Sequence, residues 1–80
     1  MKNDLENKTA IITGSALGIG KEAALLLARR GAKVIVSDIN ETEGNKTVSQ
    51  IVNDGGKAKF VKCDVTKEDE IISLIEQAKE

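Results

Sequence analysis

The residues of this 80-residue chain best suited to hold a ligand are Thr13-Gly14-Ser15-Ala16-Leu17-Gly18-Ile19-Gly20. Each glycine in the segment has its own physical task. Gly14 permits a sharp turn at a backbone angle that side chains disfavour. Gly18 lets the main chain approach a diphosphate with no Cβ in the way, and Gly20 lets a helix pack closely against a strand. The unsatisfied N–H groups and positive dipole end of that helix complete an anion cradle. A glycine cluster also makes a tight connection in any α/β protein, so the surroundings decide between the two. Here it follows a short apolar run and opens a helical pattern, which is the context that dinucleotide binding requires.

Asp38 lies 18 positions beyond Gly20 and ends the second apolar run. A carboxylate there can accept hydrogen bonds from both hydroxyls of an adenosine ribose and would repel a 2′-phosphate, which indicates NAD rather than NADP. Leu17 and Ile39 agree, being apolar where a basic side chain would meet that phosphate. The competing reading of Asp38 is a solvated acid at a strand end. Asp64-Val65 follows the third apolar run and belongs to the same rim. The Asp64 carboxylate can accept from an adenine amino group while the Val65 backbone meets a ring nitrogen; the alternative is a turn acid before Thr66. Cys63 reads as a small buried hydrophobe with no neighbour to lower its pKa. Glu68, Asp69 and Glu70 read as surface charges that complement a helix dipole.

The elements that must position these residues alternate in period. Ala10-Ile11-Ile12 is a strand buried on both faces, and Val34-Ile35-Val36 is a second, ending at Ser37-Asp38. Lys57 to Lys62 is a third, at a sheet edge, with Ala58, Phe60 and Cys63 expected on one face and Val61 on the other. Between the first two strands Ile19, Ala23, Leu26, Leu27 and Arg30 recur at helical spacing, and Gly31 stands where a C-terminal cap belongs. Asn40 and Glu43 form a capping box for a second helix with Gly44, Val48, Ile51 and Val52 inward, closed by Asn53-Asp54-Gly55-Gly56. Thr66 and Asp69 are expected to cap a third helix with Ile71, Ile72, Leu74, Ile75 and Ala78 inward. The order βαβαβα implies an α/β, Rossmann-type parallel sheet with strand order 3-2-1 and ligands beyond the strands' carboxyl ends. With no linker, repeat or compositional break, residues 1–80 read as a single dinucleotide-binding half-domain.

Composition removes other chemistries. With no His, Tyr, Trp or Pro and a single cysteine, the sequence contains no Ser-His-Asp or Cys-His site, no metal-ligand cluster and no internal disulfide. One aromatic residue gives no platform for stacking bases. Twelve basic against 13 acidic residues give a net charge of −1, so no basic face and no nucleic-acid partner are expected. No apolar run approaches the ~20 residues of a membrane span, and Met1 to Glu6 does not read as a signal segment, so a cytoplasmic location is expected. At this length apolar burial and ordering entropy nearly cancel, so marginal stability is expected as well.

Thr13-Gly14-x-x-x-Gly18-x-Gly20, then Asp38, then Cys63-Asp64-Val65, resembles the classical type of the short-chain dehydrogenase/reductase family of NAD(P)-dependent oxidoreductases. Leu5 to Thr13 also looks like that family's opening. The likeness is to the subgroup holding 3-oxoacyl-carrier-protein reductases, glucose dehydrogenases and alcohol dehydrogenases. It implies that Ser15, Leu17 and Ile19 line NAD(H) through backbone groups, that Asp38 binds the adenosine ribose, and that Asp64 and Val65 meet adenine. It also implies an alcohol or ketone substrate and a homo-oligomer for a full-length parent of about 250 residues. The family's catalytic serine and Tyr-x-x-x-Lys pair have no counterpart in these 80 residues, and Ile75 stands four residues before Lys79. The chain is therefore expected to be truncated before the catalytic part and to carry out no chemistry by itself. Two alternatives stand beside this reading. One is a free-standing, non-catalytic adenine-nucleotide-binding module. The other is a fragment of an S-adenosylmethionine-dependent methyltransferase, against which Ile12 and the wide glycine spacing speak.

Overall fold

A computed structural model describes residues 4–14 and 18–79. The elements are β1 (Thr9–Thr13), α1 (Gly18–Arg29), β2 (Lys33–Asp38), α2 (Glu41–Asn53), β3 (Lys57–Lys62) and α3 (Glu68–Ala78). The three strands form one parallel sheet in the order β1-β2-β3, which is the 3-2-1 order that the alternating pattern implies. In register, Thr9, Lys33 and Lys57 share a rung at the amino end, and Thr13, Ser37 and Val61 share one at the carboxyl end. A helix of 11 or more residues follows each strand and returns the chain, so all three carboxyl ends fall on one rim.

β2 is central, and its alternate residues divide the core in two. Val34 and Val36 face α1 and α2 with Ala24, Leu25, Ala28 and Ile51, while Ile35 faces α3 with Val61, Cys63 and Leu74. Val34, Ile35 and Val36 are all fully buried, as a strand covered on both faces requires. The expectation that Cys63 shares a face with Phe60 is corrected. Cys63 stands three positions beyond Phe60, an odd offset, so Cys63 joins Val61 beneath α3 and Phe60 packs toward α2.

The helices bury narrower stripes than their apolar residues suggest. α1 meets the sheet through Ala24, Leu25 and Ala28, where two small residues let the axis approach, and Leu26 is turned half outward. Ile19 is 90% exposed, so it belongs to the rim and not to the core. α2 packs through Gly44, Thr47 and Ile51; Val52 is exposed, and Thr47, whose hydroxyl donates to the Glu43 carbonyl, takes a place in the stripe that a hydrophobicity count passes over. In α3 only Leu74 is fully buried, and Ile72 and Ile75 face outward. The single layer of contacts beneath α3 covers one stripe and leaves the rest of its apolar surface open.

Helix ends follow local chemistry. The Asn40 side chain accepts from the Glu43 N–H at 3.1 Å, the predicted cap of α2. Paired backbone bonds around Gly31 and Gly55 close α1 and α2. Thr66 does not cap α3: the N-cap is Lys67, with no side-chain cap bond, because the Thr66 hydroxyl is turned back to Asp64. The segment before β1 is tied to the end of α1 by Leu5 N–H to the Arg30 carbonyl and by an Arg30–Asp4 ion pair.

Candidate cofactor site

Gly14 sits one residue beyond the Thr13–Ser37 rung, at the rim where the β2 end also lies. Its φ is +64° and that of Gly18 is +62°, a region that residues with a Cβ adopt only with strain. The disfavoured backbone angle read from the sequence at Gly14 is present. Among the described residues, none has an atom within 4 Å of a Cβ built on either glycine, apart from its chain neighbours. Ser15 and Leu17 lie outside the described residues. Ile19 and Gly20 stand in the first turn of α1, which carries no acidic residue, whereas α2 starts with Glu41 and Glu43 and α3 with Glu68, Asp69 and Glu70. α1 alone among the three leaves its positive end without carboxylates of its own.

Asp38 ends β2. Two residues after Val36, it belongs by strand alternation to the face of the sheet on which α1 packs. Its Oδ1 accepts the Asn40 N–H at 3.0 Å, an Asx turn that fixes the carboxylate relative to its own backbone. Asn40 thereby orients Asp38 through its N–H while its side chain caps α2. Ile39 is exposed. Lys62, exposed at the end of β3, is the register partner of Asp38, a cation that the sequence reading did not place there. Parallel register was the signal: both residues end their strands.

Asp64 and Val65 continue from β3 along the same rim, tied to it by the Cys63 N–H donating to the Asp38 carbonyl at 3.2 Å. Asp64 Oδ1 accepts from the Thr66 hydroxyl at 2.6 Å and from the Thr66 N–H at 3.0 Å. The Thr66 hydroxyl, and then its N–H, hold the Asp64 carboxyl below the ordinary carboxylate range; partial desolvation opposes them, and the Lys67 ammonium adds to the lowering. Asp64 is therefore an ionised acceptor at neutral pH. Glu70 departs from the reading as a plain surface charge, because its Oε1 accepts the Asp64 N–H at 2.9 Å. The structure thus brings Gly14, Gly18, Ile19, Gly20, Asp38, Ile39, Asp64 and Val65 to one end of the sheet. A cleft of about 440 Å³ opens at the opposite end, lined by Arg29, Gly55 and Lys57 with Glu6 and Asp54. That end carries none of these residues.

No group of His, Cys, Asp and Glu among the described residues could hold a metal ion. No helix there is long and apolar enough to cross a membrane.

Three parallel strands wound with helices, a glycine turn after the first and acids after the second and third define a Rossmann-type nucleotide-binding half-sheet. The family model described as short chain dehydrogenase matches residues 8–80, and the chain belongs to that family. It is 47% identical over 74 residues to the 7alpha-hydroxysteroid dehydrogenase of Escherichia coli (strain K12), covering 92% of this chain and 29% of that protein. It is 45% identical over 78 residues to the cyclohexanol dehydrogenase of Acinetobacter sp. (strain SE19), covering 98% of this chain and 31% of that protein. A solved structure of 7 alpha-hydroxysteroid dehydrogenase complexed with NADH and 7-oxo glycochenodeoxycholic acid superimposes with a TM-score of 0.92 at 45% identity, covering 96% of this chain and 30% of that one. The chain thus spans about a third of the length of the relatives it matches.

Proposed function

We propose that these residues hold the adenosine and diphosphate of NAD(H) for an oxidoreductase that acts on an alcohol or ketone. The observation that carries the reading is the gathering of two positive-φ glycines, an acid-free helix start and two strand-end carboxylates on one rim. The residues fit such a ligand: the open space at Gly14 and Gly18 is where a Cβ would stand between main chain and phosphate. In this reading the N–H groups at the start of α1 receive the diphosphate, Asp38 accepts from the ribose hydroxyls, and Asp64 and Val65 meet adenine. The nicotinamide, when bound, supplies the hydride acceptor or donor.

What this chain's own residues contribute is binding and orientation. The sequence holds no tyrosine, the residue to which the family resemblance assigns proton transfer. We therefore read residues 1–80 as a dinucleotide-binding half-domain that binds without turnover.

Asp38 makes the choice of cofactor testable. Its carboxylate would meet the 2′-phosphate of NADP as a like charge, so calorimetric titration should give NAD at least about tenfold tighter than NADP, ~1.4 kcal/mol. Asp38→Ser should narrow or reverse that ratio, because Lys62 remains beside the position. Equal affinity for the two dinucleotides in the unsubstituted chain would defeat the assignment of Asp38.

A further inference from the structure

The loop carrying Asp64 and Val65 is fastened by a residue that lies outside it. Cys63 directs its N–H to the Asp38 carbonyl of the neighbouring strand, so the next N–H, that of Asp64, points away from the sheet. No strand pairs with β3 on that side among the described residues. Left to itself, this would be a donor without a partner at the end of an edge strand. Glu70 supplies the acceptor at 2.9 Å, in a partly buried position. Its other carboxylate oxygen lies 3.7 Å from the Lys67 ammonium.

Glu70 is the third residue of α3, the place from which an acid in a capping box reaches back to the N-cap N–H. Here it reaches past the N-cap residue Lys67 to Asp64, six positions before it in the chain. Within the span so closed, the Lys67 N–H donates to the Asp64 carbonyl at 3.0 Å and Thr66 donates twice to the Asp64 carboxylate. Glu68 and Asp69 share the turn and its charge, yet among the described residues neither makes a side-chain hydrogen bond.

We propose that Glu70 is a positioning residue for the adenine end of the site: its carboxylate fixes the backbone of Asp64, and through it Val65, before any ligand arrives. The inference rests on the reading of Asp64 and Val65 as the adenine contact. Its physical basis is preorganisation, since a loop already ordered loses less freedom when adenosine binds.

The test uses the chain with Glu70→Ala, Glu70→Gln and Glu68→Ala, and two kinds of measurement. The first is amide hydrogen exchange at Asp64 by NMR without ligand; the second is affinity for AMP, for NAD and for inorganic pyrophosphate, which lacks adenine. Glu70→Ala should raise Asp64 exchange and weaken AMP and NAD alike, each by about tenfold, with pyrophosphate unchanged. Glu70→Gln keeps an acceptor oxygen and should restore most of both effects, and Glu68→Ala should move neither. Unchanged Asp64 exchange in Glu70→Ala overturns the inference. So does an equal effect from Glu68→Ala, which would reduce Glu70 to one more charge at a helix start. Faster exchange with AMP affinity retained overturns the role of Glu70 and leaves the adenine reading standing. No AMP affinity in the unsubstituted chain overturns the adenine reading and this inference with it.

Discussion

Replacing Gly18 with alanine separates a ligand contact from a structural glycine. The φ of +62° puts an alanine in the left-handed region, at a cost of about 1–2 kcal/mol, and among the described residues no atom beyond the chain neighbours lies within 4 Å of the new Cβ to add a packing penalty. Gly55 offers a matched control. Its φ is +88°, its Cβ position is equally open, and it lines the cleft at the amino end of the sheet. The six residues of β3 separate it from the rim by ~20 Å. Gly18→Ala and Gly55→Ala should therefore lower the melting temperature by similar amounts, about 4–8 °C per kcal/mol for a domain of this size. Their effects on binding should part. At Gly18 the methyl group stands in the space assigned to the diphosphate and holds it off the N–H groups. Losing one or two bonds to a charged group at ~1.5–3 kcal/mol each weakens binding by tenfold to more than a hundredfold.

A thermal-shift series with and without NAD reads both effects in one experiment. NAD at 100 times its dissociation constant for the unsubstituted chain stabilises by about 2.7 kcal/mol. The unsubstituted chain and Gly55→Ala should show that shift in full, and Gly18→Ala should show little of it. If Gly18→Ala and Gly55→Ala gain equally from NAD, nothing approaches the Gly18 main chain, and the diphosphate assignment fails.

Two further outcomes follow from packing and charge. An alanine Cβ at Gly44 would lie 2.2 Å from Cε1 of Phe60, so the ring must move; overpacking of about 1–3 kcal/mol outweighs the ~1 kcal/mol of helix propensity gained, Gly44→Ala should melt lower, and the double variant with Phe60→Leu should recover most of the loss. Asp4, through its hydrogen bond and ion pair with Arg30, and Asp64, through Thr66, have carboxyl pKa values lowered on folding. Their stabilisation is complete above the unfolded value near about pH 4 and is lost as pH falls through the lower folded values, so melting temperature should be level from about pH 7 to 5 and drop below about pH 4. Thr66→Val lets the folded Asp64 carboxyl return toward its unfolded value and should make that acid limb shallower, and an unchanged acid limb would count against the Asp64–Thr66 contact.

Strand order, helix order and the rim were legible because each rests on a local signal: β-branched runs, caps and a glycine turn. The directions in which helices face were less so. Ile19, Leu26, Val52, Ile72 and Ile75 fit a helical period and yet are exposed, since periodicity marks an apolar surface without saying how much of it a three-stranded sheet can cover. Thr47 was missed for the converse reason. Its hydroxyl is satisfied by the Glu43 carbonyl one turn back, which lets a polar residue enter a core stripe. Glu70 could not be told from Glu68 and Asp69 by type or position alone. What distinguishes it is the Asp64 N–H at the edge of β3, and that follows only from knowing which strand lies at the edge.

The three helix starts differ in what their first residues offer to their N–H groups. α2 satisfies its first turn with the Asn40 side chain, and the acids of α3 include one that serves an N–H of the preceding loop. α1 begins with Gly18, Ile19, Gly20 and Lys21, none of which can accept a hydrogen bond through its side chain. Donors at a helix start must be satisfied by a side chain, by water or by something bound. Among the described residues only α2 takes a cap from its own N-cap side chain, and the first four residues of α1, with no side-chain acceptor among them, suit that start to the external anion proposed above. The carboxylates absent from α1 stand instead at the end of β2 and just beyond β3, where, in the function proposed above, they meet hydroxyl and amino groups without competing for the phosphate.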